Sequence, residues 1–294
     1  NGIVSGRNEE DAPEVLSGVF EGKTLGTPIA VIVRNKDARS EDYKEIAFSP
    51  RAGHADDLWR SKFGHSDHRG GGRSSGRETV ARVIGGAIAQ MVLREAAPSL
   101  RVFAFASQIG TVKLDDAEVL EVEKRLVGRE IAVDQFSSRF PHAVKNAEIE
   151  EMLLKAKAEG RSYGGEVQVF IANSPMGLGQ PVFHKLKSDL AAAFMSVGAT
   201  AGVELGDGRE VMEAEGSEFH RQTDQRQYGG IRGGISTGEP ILLRVFFKPT
   251  ATVLDVAKKG RHDPCIVIRA IPVLESMAWM VMADHLLWSR QDRI

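Results

Sequence analysis

Residues 239–247 read EPILLRVFF, an apolar run rich in branched and aromatic side chains between a Gly-containing turn and Lys248-Pro249. A run of that length, bounded by turn residues, predicts a buried strand. TPIAVIV (27–33) repeats the pattern, and both runs follow a Gly-x-Pro-Ile opening, at Gly26 and at Gly238. The recurrence suggests internal duplication; chance recurrence of a common way to start a strand fits the same residues. Between them, GGEVQVFI (164–171) alternates as a strand does, and PMGLGQP (175–181) leads into a helix with Leu186, Leu190 and Phe194 on one face. A helix is predicted over 146–159, with Ile149, Met152 and Leu153 on its apolar side and Gly160 as its stop. Another is predicted from about Val273 to Trp288, where Met277, Met280, Val281 and Trp288 form a face suited to core or subunit contact. Mixed strands and helices without a low-complexity linker predict an α+β fold, one compound domain over residues 1–294.

The composition bounds the function. With 294 residues, 42% hydrophobic and 27% charged, the chain can bury a sizeable core. A single cysteine, Cys265, excludes an internal disulfide and suits a reducing, cytoplasmic setting. The apolar stretch Met277 to Ala283 is far shorter than the ~20 residues of a spanning helix, so no membrane segment is expected. The net charge of −2 gives no global attraction to nucleic acid, and no such partner is expected. Asn1 stands without an initiator methionine and no secretory pattern follows, so the expected start of the natural chain lies upstream.

The charge is unevenly distributed. Between residues 51 and 82 lie seven basic residues (51, 60, 62, 69, 73, 77, 82) against four acids (56, 57, 67, 78), with His54, His65 and His68 among them. Within this island HRGGGRSSGRET (68–79) precedes the apolar positions Val80, Ile84, Ala87, Ile88 and Met91. Ser75 and Glu78 have capping-box spacing and predict a helix start. Free N–H groups at such a start attract anions, Gly70 to Gly72 allow close approach, and Arg73 and Arg77 supply forked donors for carboxylate or phosphate. A P-loop is excluded because Arg77 and Glu78 follow Gly76 where Lys and Ser or Thr are needed. A dinucleotide fingerprint fails because Ser75 holds the third glycine position. Two readings stay open: a metal site from His54, His65 and His68, and a capped helix whose arginines are solvated, with Glu78 pairing Arg82.

A second constellation, KKGRHDP (258–264), crowds Lys258, Lys259, Arg261, His262 and Asp263 into a turn before CIVIRAI, which reads as a strand. A site and an ordinary polar turn both fit it.

LSGVFEGKTLGTPI (16–29), RNKDARSEDY (34–43), RAGHAD (51–56), RGGGRSSGRET (69–79), GVELGDG (202–208), GGISTGEPI (233–241), FKPTAT (247–252) and KGRHDPC (259–265) together resemble the blocks of the chorismate synthase family, in that family's order. The resemblance implies a β-α-β sandwich-like fold, usually a homotetramer. It implies anti-1,4-elimination of phosphate from 5-enolpyruvylshikimate 3-phosphate to give chorismate, in the shikimate pathway. Reduced FMN is required although the net reaction is redox-neutral. Whether NAD(P)H reduces the flavin on the same protein stays open, and no metal is expected. By the same resemblance His54 and Asp263 are catalytic, His54 as an acid and Asp263 in proton relay. Arg51, Arg77 and Arg82 hold substrate anions. The flavin meets Arg73, Ser74, Ser75, Gly198, Ala199, Gly233, Lys248, Pro249, Thr250, Ala251, Thr252 and Arg261. A substrate with two carboxylates and a phosphate gives the arginine-rich island a purpose.

The departures are local. The family's Gly-Glu-Ser-His-Gly segment, which carries another catalytic histidine, is not in the sequence given. Gly76 replaces a usual alanine, Arg226-Gln227-Tyr228 replaces a common Asn-x-Ala, and the link from Thr252 to Lys258 is short. Two other functions fit these residues: a flavoprotein of another reaction class on the same scaffold, and a noncatalytic assembly subunit.

Overall fold

The structure, a computed structural model, describes residues 2–4, 10–35, 53–67, 74–223, 225–251, 253–254 and 263–292. Of the expected site residues, Arg51, Arg73, Thr252 and Arg261 lie outside the described residues, as does His68. The chain divides into two compact units, residues 5–75 and residues 1–4 with 76–294.

The smaller unit contains strands β1 (Pro13–Ser17), β2 (Val19–Phe20), β3 (Lys23–Thr24) and β4 (Ala30–Val33), and helix α1 (Asp56–Phe63). β1 pairs antiparallel with β4, and β2 with β3. Gly18, at φ 83°, is required where the chain crosses itself: a Cβ there would meet Pro28 O and Ile29 Cα within 2.8 Å. The run 27–33 is a strand only over Ala30–Val33, and it is half-buried rather than buried, because among the described residues β1 is its one partner in a two-stranded sheet.

In the larger unit the chain runs through a 3₁₀ turn (Gly76–Thr79), α2 (Val80–Ala96), β5 (Arg101–Ile109), β6 (Val112–Lys113), α3 (Asp116–Val127), α4 (Ala143–Glu159), β7 (Gly165–Ala172) and α5 (Leu186–Met195). It continues through β8 (Thr200–Leu205), α6 (Gly216–Phe219), β9 (Ile231–Arg232), β10 (Ile235–Ser236), β11 (Ile241–Phe247) and α7 (Val267–Ser289). Five strands form an antiparallel sheet in the order β6-β5-β7-β11-β8. The opening run, now β11, lies between β7 and β8, with Arg244 opposite both Gln168 and Glu204. Alternation sends Val167, Val169, Ile171, Leu243 and Val245 into the main core with α7, while Phe170, Ala172 and Leu242 form a separate cluster. Gly160 ends α4 in left-handed geometry and Leu186, Leu190 and Phe194 are fully buried, as the sequence predicts.

Three details depart from expectation. The helix after Ser75 opens as a 3₁₀ turn and becomes α-helical only at Val80. Its buried face is Gly86, Ala89 and Leu93, whereas Val80 and Met91 are exposed. Small residues choose the face: a Cβ on Gly86 would lie 2.5 Å from Ser276 Cα, so α2 and α7 pack with their backbones close. Finally, CIVIRAI is not a strand beyond a single bridge from Cys265 to Tyr163; it opens α7, six residues before Val273.

Pro272 sits inside α7. It cannot donate to Ile268 O four residues back, and that carbonyl instead accepts from Arg139 Nη1 at 3.0 Å. The helix therefore passes through the proline without an orphaned carbonyl. At 23 residues α7 is long and apolar enough by length and composition to cross a membrane. More than half of its apolar window is buried, with Leu274, Ala278 and Met282 wholly enclosed, so it is the central core helix of this unit.

Candidate active site

In the smaller unit His54 is half-buried in the bend before α1. Trp59 of that helix stacks on Phe63, with centroids 5.3 Å apart, and donates its indole N–H to Ser74 Oγ at 2.6 Å. Helix α1 and Ser74 are thus tied together, and Ser75, half-buried, follows directly.

In the larger unit Arg77 is half-buried in the 3₁₀ turn, and Arg82 stands in the first turn of α2. The Arg82 guanidinium donates to Ser196 Oγ at 2.6 Å and to Ser196 O at 3.0 Å, and also touches Met277 Sδ. Arg82 is therefore fixed to the end of α5, and the alternative pairing with Glu78 is not the one found. Two residues later come Gly198 and Ala199, the latter at φ 70°, a conformation an L side chain adopts at a cost. Ala199 O accepts from Lys248 N at 3.0 Å, which joins this loop to the exit of β11. Lys248 and Pro249 are exposed, Thr250 and Ala251 half-buried.

Asp263 meets the same segment. Thr250 Oγ1 donates to Asp263 O at 3.1 Å, Ser162 Oγ donates to Thr250 O at 2.9 Å, and Tyr163 N donates to Pro264 O at 2.8 Å. The Asp263 carboxylate pairs with Arg269 Nε at 2.9 Å. Hence Thr250 and Asp263, thirteen residues apart, are held together. Gly233 is elsewhere: it turns the β9–β10 hairpin, and its neighbour Gly234 packs on Lys185 at the start of α5. Ten residues of helix, about 15 Å, separate that end from Ser196.

Sequence reasoning did not single out Ser196, Ser162 or Arg269, whose roles depend on neighbours far away in the chain. Arg226 is also explained: its guanidinium pairs at 2.8 Å with Glu123, which is buried on α3. Burial pushes the Glu123 carboxyl up, and Arg226 works against that. Cys265 is buried and its thiol is pushed up to about 12 by desolvation, which makes it a structural group. Among the described residues no group of His, Cys, Asp and Glu is placed to hold a metal ion.

A sequence model described as chorismate synthase matches residues 1–287. The chain belongs to the chorismate synthase family. It is 64% identical over 292 residues to the chorismate synthase of Bdellovibrio bacteriovorus, covering 99% of this chain and 83% of that protein. Against the chorismate synthase of Opitutus terrae the identity is 41%, with the same two coverages. A crystal structure of chorismate synthase superimposes with a TM-score of 0.75 at 32% identity, over 94% of this chain and 78% of the other. Membership makes the chain a lyase of the shikimate pathway and its fold that of the family.

The residues brought together also suit a flavin phosphate. Lys248, which is exposed, is tied to the 198–199 loop through its backbone N–H, while the Thr250 hydroxyl is donated to Asp263 O. The exposed Lys248 ammonium is the group here that suits an anionic ligand.

Proposed function

We propose that this chain eliminates phosphate from 5-enolpyruvylshikimate 3-phosphate to form chorismate, with reduced FMN, as a cytoplasmic homotetramer. A ring C–H bond and the C–O bond to phosphate break, a new C=C bond completes the diene, and a proton and phosphate leave, so no net oxidation occurs. Reduced FMN would supply transient electron density to the breaking C–O bond. Lys248 to Thr252, Gly198 and Ala199 would hold it, together with Arg73, Ser74, Ser75, Gly233 and Arg261.

The remaining work falls to the chain's own side chains. Arg51, Arg77 and Arg82 bind the substrate's carboxylates and phosphate, and stabilise charge on the departing phosphate. Arg82 does so from a rotamer already fixed by Ser196. Asp263 accepts the ring proton on the way to solvent, and His54 acts as an acid that keeps the flavin or leaving group correctly protonated.

The observation that supports this reading best is the junction of Thr250 with Asp263, which sets the candidate base on the segment expected to hold the flavin. The test is an anaerobic assay of the protein with reduced FMN, following chorismate and released phosphate together. Equal yields of the two are expected. Asp263→Asn should lose a hundredfold or more in turnover, the usual scale for a general acid–base group, with FMN affinity little changed. Arg77→Ala should raise KM far more than it lowers the melting temperature. Phosphate release without chorismate, or an Asp263→Asn enzyme at parental turnover, would overturn the assignment.

A further inference from the structure

Resting on the reading of Asp263 as the proton-accepting residue, we propose that Arg269 is its positioning residue: the Arg269 guanidinium holds Asp263 Oδ2 and thereby fixes the direction in which the carboxylate faces its substrate. The backbone of Asp263 is anchored independently. Its carbonyl is held by Thr250 Oγ1, the next carbonyl is held by Tyr163 N, and Pro264 restricts the residue before it to extended geometry. With the main chain fixed, the remaining freedom is in the two side-chain torsions. The ion pair at 2.9 Å removes it.

The placement of Arg269 has a cost that points to this role. It is the third residue of α7, in a first turn that carries no acid, where the positive end of the helix dipole disfavours a cation. Asp263, ahead of the same helix, is favoured there without help. Helix electrostatics alone therefore give no reason for an arginine at 269, and the carboxylate does. The Asp263 side chain is 16% exposed against 44% for Arg269, so the acid is the enclosed partner and the arginine reaches it from the solvent side.

The test is a cycle of Arg269→Gln, Arg269→Lys, Asp263→Asn and the Arg269→Gln/Asp263→Asn double variant. Each is read by the melting temperature of the flavin-free protein, by FMN fluorescence titration, and by anaerobic kcat and KM over pH. Arg269→Gln is expected to lower kcat about tenfold, short of the loss from removing the base itself, with KM and FMN affinity within about twofold. Arg269→Lys should restore part of the turnover, since an ammonium keeps the charge and loses the planar contact. In the Asp263→Asn background Arg269→Gln should cost no further turnover.

The failures are distinguishable. Parental turnover in Asp263→Asn defeats the reading of Asp263. An impaired Asp263→Asn with parental kcat in Arg269→Gln, or with multiplying losses in the double variant, defeats the positioning role. Weakened FMN or substrate binding by Arg269→Gln in the Asp263→Asn background also defeats it, because Arg269 then touches ligand directly. Should Arg269→Gln fold poorly, the turnover of Arg269→Lys decides: a partial loss at unchanged KM and FMN affinity supports the role, and parental turnover overturns it.

Discussion

Replacing Glu275 by glutamine should remove a pH dependence from the stability of this protein. Glu275 lies in the middle of α7 and accepts a hydrogen bond from Ala104 N at 2.9 Å. Ala104 belongs to β5, whose other edge is covered by β6 only at Gln108 and Ile109, so the carboxyl supplies a partner that the sheet lacks. Burial pushes the Glu275 carboxyl up from 4.5 to about 7, although the Ala104 N–H and the charge of Arg139 both favour its ionised form. The folded state therefore binds a proton that the unfolded state has lost between pH 4.5 and 7. Stability from this group is complete below pH 4.5 and falls as pH rises to 7, then stays level. The 2.5-unit displacement corresponds to about 3 kcal/mol. Glutamine keeps an acceptor for Ala104 N and does not titrate. Urea unfolding of both proteins between pH 4.5 and 8 should show the parent losing about 3 kcal/mol relative to Glu275→Gln, most of it below pH 7. A difference that is flat across this range would refute the argument from burial.

Three further outcomes follow from other contacts. Arg139→Met should cost about 1–3 kcal/mol by leaving Ile268 O without its donor, and the cost should largely vanish in a Pro272→Ala background, where the helix supplies its own N–H; chemical unfolding of the four proteins checks the cycle. Arg226→Met should destabilise by about 3 kcal/mol at pH 8 by stranding the buried Glu123, and by less at acid pH, where that carboxyl with its raised pKa takes up a proton; thermal melts at two pH values read the difference. The Cys265 thiol should resist a thiol reagent at pH 8 in the folded protein and react promptly in urea, a contrast that mass spectrometry records directly.

Much of the fold was legible because some patterns are local. The apolar run at 241–247, the alternation at 165–172, the Gly160 stop and the Leu186, Leu190 and Phe194 stripe each carry their instruction within a few residues. The family blocks likewise made the reaction class readable, since they recur as contiguous words. Helix starts were less legible. CIVIRAI reads as an apolar strand, whereas α7 already begins at Val267, and Arg139, 129 residues earlier than Ile268, makes the turn before Pro272 tolerable. The buried face of α2 was misread because hydrophobicity marks large side chains, while close packing on α7 selects Gly86.

The sequence by itself determined an α+β chain of the chorismate synthase family and the residue types of its arginine-rich, anion-binding site. Only the tertiary structure decided that Arg82 is held by Ser196, that Thr250 seats Asp263, and that Arg269 grips its carboxylate. Local patterns record what a residue does to its own few neighbours in the chain. A hydrogen bond or ion pair forms only within about 3–4 Å, and chain folding, not spacing in sequence, brings those groups into reach.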